Sequence, residues 1–149
     1  MCGICGTYGF CYIDILKRMC SKLSHRGPDD EGYYCDSDVM LGMRRLKVID
    51  LETGNQPIYN EDKTTVVVYN GEIYNFREIR DELKNKGHVF KTSSDTETIV
   101  HLYEEYGDNL IKKLRGMFAF ALWDIKKKRL LLARDKIGIK ANKNLYNRV

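Results

Sequence analysis

Two apolar runs split by a short charged segment constrain this chain more than anything else in it. Residues 117–123 (MFAFALW) and 129–134 (RLLLAR) flank a polar stretch at 124–128. Runs this close in sequence can pair only by folding back, because a parallel return needs a crossover of about a dozen residues or more. They predict an antiparallel hairpin. The segment 64–69 (TTVVVY) reads as another strand, as do 3–10 (GICGTYGF), 32–35 and 39–43, the last two split by Asp36-Ser37-Asp38. Helical spacing puts Leu16, Met19, Cys20 and Leu23 on one face of 12–23. A second helix spans 75–86, with Phe76, Ile79 and Leu83 as its apolar stripe, Asn75 and Glu78 as a capping box and Gly87 as its stop. A third opens at Ser94 or Asp95 and runs to Tyr106, and a short one covers 109–114. Hairpins and helices fall in separate runs, which favours an α+β fold of mostly antiparallel sheets covered by helices over a doubly wound parallel sheet.

A length of 149 residues suits one domain, and 43% apolar residues can build its core. The net charge is only +4, and the one tight basic run, Lys126 to Arg129, falls at the hairpin tip, where it reads as a solvated turn. No nucleic-acid partner is expected. No stretch reaches the roughly 18 apolar residues of a membrane helix, and no basic segment followed by an apolar core marks a signal peptide. A cytoplasmic location follows as the expectation. The five cysteines, at 2, 5, 11, 20 and 35, then read as free thiols. Cys2 and Cys5 form a CxxC, but the second ligand pair of a structural zinc site is missing, so no metal is expected there.

Cys2 is one cleavage from becoming the first residue. With Met1 removed, its thiol and a free α-amine share one carbon, and the amine can serve as the thiol's own base. Reference pKa values of about 7.7–8.0 for the amine and about 8.5 for the thiol suit proton exchange near neutrality. Four later segments carry polar residues that a core does not ask for: 25–30, 43–50, 70–75 and 93–97. Asn70-Gly71 is a strong turn signal that here ends a strand and is followed by a capped helix. It would expose the Asn70 amide and the Gly71 N–H together, two donors that make an oxyanion hole if aimed at one point. Arg45 and Asp95 offer the opposite charges that a substrate with a carboxylate and an ammonium requires, arginine suiting the carboxylate through its two-pronged donor set. Taken singly, Asp95 is equally a helix cap and Arg45 a surface ion-pair member. His25 reads as structural, and His88 and His101 lie in strand-like and helical segments, so no histidine-based triad is assembled.

These segments, in order, resemble one family. Met-Cys-Gly-Ile (1–4), His-Arg-Gly-Pro-Asp (25–29), Arg-Arg-Leu-Lys-Val-Ile-Asp (44–50), Gln-Pro-Ile-Tyr-Asn (56–60), Asn-Gly-Glu-Ile-Tyr-Asn (70–75), Ser-Asp-Thr-Glu (94–97), Gly-Met-Phe-Ala-Phe-Ala-Leu-Trp-Asp (116–124) and Ala-Arg-Asp-Lys-Ile-Gly-Ile-Lys (133–140) are similar to the class II glutamine amidotransferases and, within them, to the glutaminase domain of glutamine-hydrolysing asparagine synthetases. The resemblance implies an N-terminal-nucleophile hydrolase fold, a four-layer αββα sandwich. It implies a catalytic Cys2 exposed by processing, which attacks the side-chain amide of L-glutamine to give a thioester and ammonia. Asn70 and Gly71 match the oxyanion pair. Arg45 matches the group that holds the glutamine carboxylate, and Leu46, Lys47, Val48 and Ile49 form a loop over the substrate. Asn70, Gly71, Glu72 and Asp95 match the remaining substrate contacts, Asp95 on the ammonium side.

The resemblance covers residues 1 to about 140 of a domain taken as 1–149. After Lys140 the family pattern is lost, and the expectation is a domain truncated at its C-terminus. No Ser-Gly-Gly-x-Asp-Ser loop occurs in these 149 residues, so the expectation is that the synthetase domain is absent. ATP and Mg would belong to that domain, and none is expected in this one. The implied partner is a synthetase domain or subunit that accepts the ammonia. The sequence leaves a homodimer open, and a catalytically inactive remnant or interaction module is the alternative reading.

Overall fold

The structure, a computed structural model, describes residues 1–141 and residue 143. The divergent tail therefore lies outside the described residues, apart from Ala141 and Lys143.

The expected hairpin is present. β6 (Gly116–Asp124) and β7 (Arg129–Arg134) pair antiparallel, with Asp124 opposite Arg129. β6 also pairs along its length with β5 (Thr65–Ile73), and β5 holds the two-residue β4 (Ile58–Tyr59) on its other side. This gives a four-stranded sheet of order β4-β5-β6-β7. The second sheet has order β1-β3-β2, from β1 (Gly3–Tyr8), β2 (Asp30–Cys35) and β3 (Val39–Arg45). Both pairings in it are antiparallel.

The apolar pattern stacks these sheets face to face. Val66 and Val68 of β5 pack with Val39, Leu41 and Met43 of β3 and with Ala121 and Trp123 of β6. The alternate residues Val67, Tyr69 and Ile73 face the other way, into a second core shared with α2 (Phe76–Asn85) and α3 (Glu97–Tyr106). On the outer face of the three-stranded sheet lies α1 (Ile13–Lys22), where a Cβ at Gly42 would meet Leu16 Cδ1 at 2.9 Å. Helix, sheet, sheet, helices is the expected αββα order. A single 3₁₀ turn (Gly107–Asn109) leads into α4 (Leu110–Lys113) where one short helix was expected.

Three local expectations fail for identifiable reasons. Asn70-Gly71 does not turn; the β5–β6 ladder carries the strand through both residues to Ile73, opposite Gly116. Asn75 does not cap α2 with its side chain. Its amide is taken by distant backbone instead, donating to the Lys113 carbonyl and accepting from the Arg115 N–H. The cysteines are not all free: Cys11 and Cys35 form a disulfide across 24 residues, leaving Cys2, Cys5 and Cys20 as thiols.

Candidate active site

Strand alternation decides which side chains can meet Cys2. Cys2 and Ile4 pack on the inter-sheet core. Cys5, three residues on, faces α1, its sulfur 3.4 Å from that of Cys20. Residues three apart on a strand point to opposite faces, so the CxxC cannot close on one ion. The register that sets Gly3 opposite Arg44 brings Cys2 level with Arg45. In β5 the even positions Val66 and Val68 face the same inter-sheet gap, and by the same alternation so do Asn70 and Glu72. Cys2, Arg45 and Asn70 thus converge at one end of the gap.

A cavity of about 140 Å³ opens there. Cys2, Arg45, Leu46, Val48 and Ile49 line one side. Asn70, Gly71, Glu72 and Asp95 line the other. Of the residues expected from the sequence only Lys47 is absent. It serves through its backbone, its N–H donating to Asp29 Oδ2 at 2.8 Å, so that the 25–30 loop anchors the 46–49 loop. The same loop braces Cys2, since Arg26 Nε donates to the Cys2 carbonyl at 3.2 Å. His25 is exposed and takes no part in the cavity.

Two donors face the cavity. Asn70 is buried, and among the described residues its side-chain amide has no hydrogen-bond partner. The N–H groups of Tyr69 and Ile73 point away from β6, donating to Gln56 Oε1 at 2.7 Å and to Asp95 Oδ2 at 3.0 Å. Gly71 lies between them in the same phase, beyond the reach of the short β4, so its N–H faces the same way. Glycine is required here by close approach, since a Cβ would lie 2.7 Å from Phe118 Cα.

Two opposite charges are buried at the cavity without counter-ions among the described residues. Arg45 is 4% exposed and makes no ion pair; its guanidinium donates to the carbonyls of Ile49 and Asp50 and to Asn55 Oδ1. Gly54 passes beside it, where a Cβ would meet Arg45 Nη2 at 2.6 Å. Asp50 holds this loop in place: burial opposes its charge, but the Thr53 hydroxyl and the N–H groups of Thr53 and Ser93 prevail and keep its carboxyl low. Asp95 is 4% exposed, and burial raises its pKa against the hydrogen bonds from the Ile73 N–H and the Tyr69 hydroxyl. An uncompensated buried charge is costly unless a ligand completes it. One of each sign at one cavity suits a zwitterion.

Two lining residues, Gln56 and Lys140, lie in the sequence motifs but carried no assigned role. Gln56 closes the exposed edge of β5, its Nε2 reaching Thr96 Oγ1 at 3.4 Å. Lys140, 3% exposed, approaches from the far end with Nζ 2.6 Å from Met1 Sδ. It is delivered by Asp135, whose carboxylate accepts the N–H groups of Phe118, Ile139 and Lys140. Those bonds outweigh burial and hold Asp135 below the usual range.

A family model described as glutamine amidotransferase domain matches residues 1–146. The chain is 48% identical over 147 residues to glutamine-hydrolyzing asparagine synthetase 2 of Bacillus subtilis (strain 168), a match covering 94% of this chain and 19% of that protein. It is 48% identical over 144 residues to glutamine-hydrolyzing asparagine synthetase of Zea mays, covering 93% of this chain and 24% of that protein. It thus spans about a fifth to a quarter of the length of these relatives. Among solved structures, a glutamine phosphoribosylpyrophosphate amidotransferase from B. subtilis is similar at TM-score 0.55 and 25% identity, over 67% of this chain and 24% of that one.

Proposed function

The chain belongs to the glutamine amidotransferase domain family, and from that premise we propose that it hydrolyses the side-chain amide of L-glutamine through a thioester on Cys2. What carries the reading is the coincidence at one cavity of the Cys2 sulfur, an unpartnered Asn70 amide, and buried Arg45 and Asp95 without counter-ions.

Removal of Met1 frees the Cys2 α-amine, which takes the thiol proton as sulfur attacks the amide carbon. The carbonyl oxygen becomes an oxyanion between Asn70 Nδ2 and the Gly71 N–H. Donors fixed before the reaction stabilise that charge without reorganising. The protonated amine then gives its proton to the leaving nitrogen, and the carbon–nitrogen bond breaks to release ammonia. Water, deprotonated by the same amine, attacks the thioester, and glutamate leaves with the thiol restored. Arg45 binds the α-carboxylate and Asp95 the α-ammonium, so the substrate supplies the counter-ions that the empty cavity lacks. These steps use only groups of this chain. No helix among the described residues is long and apolar enough to cross a membrane, and the reading places the reaction in the cytoplasm. The relatives' names make aspartate amidation the reaction that would consume the ammonia, on a synthetase module holding the ATP and Mg.

Intact-mass measurement combined with labelling by a glutamine-analogue electrophile tests this. The expected result is a chain lacking Met1 with a single adduct on Cys2. A chain that keeps Met1, which lines the cavity, and takes up no label would instead mark an inactive glutaminase-like fold.

A further inference from the structure

On the opposite side of the four-stranded sheet from the Cys2 gap, four side chains from three separate segments meet: Glu61 after β4, His88 after α2, and His101 and Glu104 on α3. One ligand atom from each lies within 4.8 Å of all the others. Glu104 Oε2 is 3.6 Å from His88 Nδ1 and 3.1 Å from His101 Nδ1. The Glu61 carboxylate turns one oxygen to each ring, Oε1 at 3.4 Å from His88 Nδ1 and Oε2 at 3.2 Å from His101 Nδ1. Zinc bonds of about 2.0–2.2 Å to nitrogen and oxygen require tetrahedral ligand atoms about 3.3–3.5 Å apart. Glu104 Oε2 lies near that spacing from both Nδ1 atoms, and Glu61 offers an oxygen near it to each ring, within a four-atom set no wider than 4.8 Å.

We propose that Glu61, His88, His101 and Glu104 form a closed, structural binding site for one divalent transition-metal ion, zinc by donor set and spacing.

Two imidazoles with two carboxylates suit zinc better than the oxygen-seeking magnesium or calcium. The surroundings fit a metal as well. His88 Nε2 is 3.2 Å from Glu105 Oε1, and His101 Nε2, buried without a hydrogen bond, faces Glu97 Oε1 at 3.7 Å. At His88 the Glu105 carboxylate favours the tautomer that turns the Nδ1 lone pair toward the centre. The ligand carboxylates are themselves aimed, Glu61 Oε1 by the Val89 N–H at 2.9 Å and Glu104 Oε1 by Asn60 Nδ2 at 2.8 Å. Charge points the same way. Lys86 neutralises Glu105, but Glu61, Glu97 and Glu104 have no lysine or arginine partner among the described residues. A dication would balance these carboxylates and bind all three segments. It would pin α3, whose first turn follows directly on Asp95, without touching the Cys2 cavity.

The test uses the full chain, as wild type and as Cys2→Ala, since a terminal cysteine can itself chelate. Each is stripped with a chelator, titrated with zinc, desalted and assayed for metal and for thermal stability. The expected result is one zinc per chain retained in both proteins, with a raised Tm. His88→Gln, at a half-buried ring, and Glu61→Gln should each lose the metal and the zinc-dependent rise while keeping the circular dichroism of the apo wild type. Cobalt substitution should show tetrahedral bands without a thiolate charge-transfer band. Sub-stoichiometric zinc in Cys2→Ala, or full retention by both Gln variants, would overturn the site. A thiolate band would move the metal to the Cys5–Cys20 pair and equally overturn it.

Discussion

The backbone N–H of Leu46 lies 3.4 Å from Cys2 Sγ, and the Leu46 carbonyl lies 3.7 Å from the same sulfur. The first residue of the loop over the cavity is thus seated on the nucleophile. Arg45, immediately before it, carries the guanidinium that the same loop encloses through the Ile49 and Asp50 carbonyls. The proposed nucleophile and the proposed carboxylate site share one piece of backbone.

Asn70→Ala removes the proposed oxyanion donor, an amide that no group among the described residues engages. Loss of such a donor costs about 10²–10³ in kcat. Ammonia release by the purified variant should fall by that factor, with KM for glutamine and Tm near wild type. A kcat within a few-fold of wild type would remove Asn70 from the mechanism.

Arg45→Lys keeps the charge and loses the fork. A point-charge ammonium cannot serve Asn55, two carbonyls and a ligand carboxylate together. The expectation is a rise of about 10- to 100-fold in KM, the worth of one charge-assisted hydrogen bond of about 1.5–3 kcal/mol, with a smaller change in kcat. Steady-state kinetics separate the two.

Asp95→Asn removes a buried charge that the proposed substrate's ammonium would complete. Burial raises the Asp95 pKa in the folded state, so its contribution to stability is fully present below the ordinary carboxylate pKa and is lost as pH rises through the elevated one. The variant lacks that loss. Denaturant titrations at several pH values should show the ligand-free variant gaining on wild type as pH rises, while calorimetry shows weakened glutamine binding. A gap that stays constant with pH would contradict the assignment.

Gly71→Ala drives a Cβ toward Phe118 Cα and the Met117 carbonyl. Overpacking of this kind costs about 1–3 kcal/mol, and each kcal/mol lowers Tm by about 2–4 °C at this chain length. A thermal melt should show the drop, and kcat should fall with it as β5 leaves β6.

Thiol titration in denaturant checks the cysteine pairing. Three reactive thiols without reductant and five with it are expected from the Cys11–Cys35 disulfide. Five in both conditions would return the chain to the all-thiol state read from its sequence.

The hairpin, the helices and most of the cavity were legible because each leaves a local mark: an apolar period, a glycine stop, a polar group where a core would have none. What escaped depends on distant partners. Asn70-Gly71 carries the signature of a turn, but the glycine answers the crowding of Phe118, a reason only β6 supplies. Asn75 looks like a cap until Lys113 and Arg115 claim its amide. Gln56 has work only once β4 proves too short to cover the Tyr69 N–H. Lys47 was expected as part of the loop over the substrate; its N–H ties that loop to Asp29, a partner 18 residues away that local pattern does not reveal. Nothing in the spacing of Cys11 and Cys35 announced their meeting.

The β5–β6 ladder pairs every residue from Thr65 to Ile73. Because neighbours on a strand face opposite ways, sliding β5 by one position would swing Tyr69 or Gly71 toward the sulfur and hide the Asn70 amide among the helices. The hydrogen bonds that make this sheet are therefore also its sighting mechanism: a protein that loosened them would lose its aim before it lost its shape.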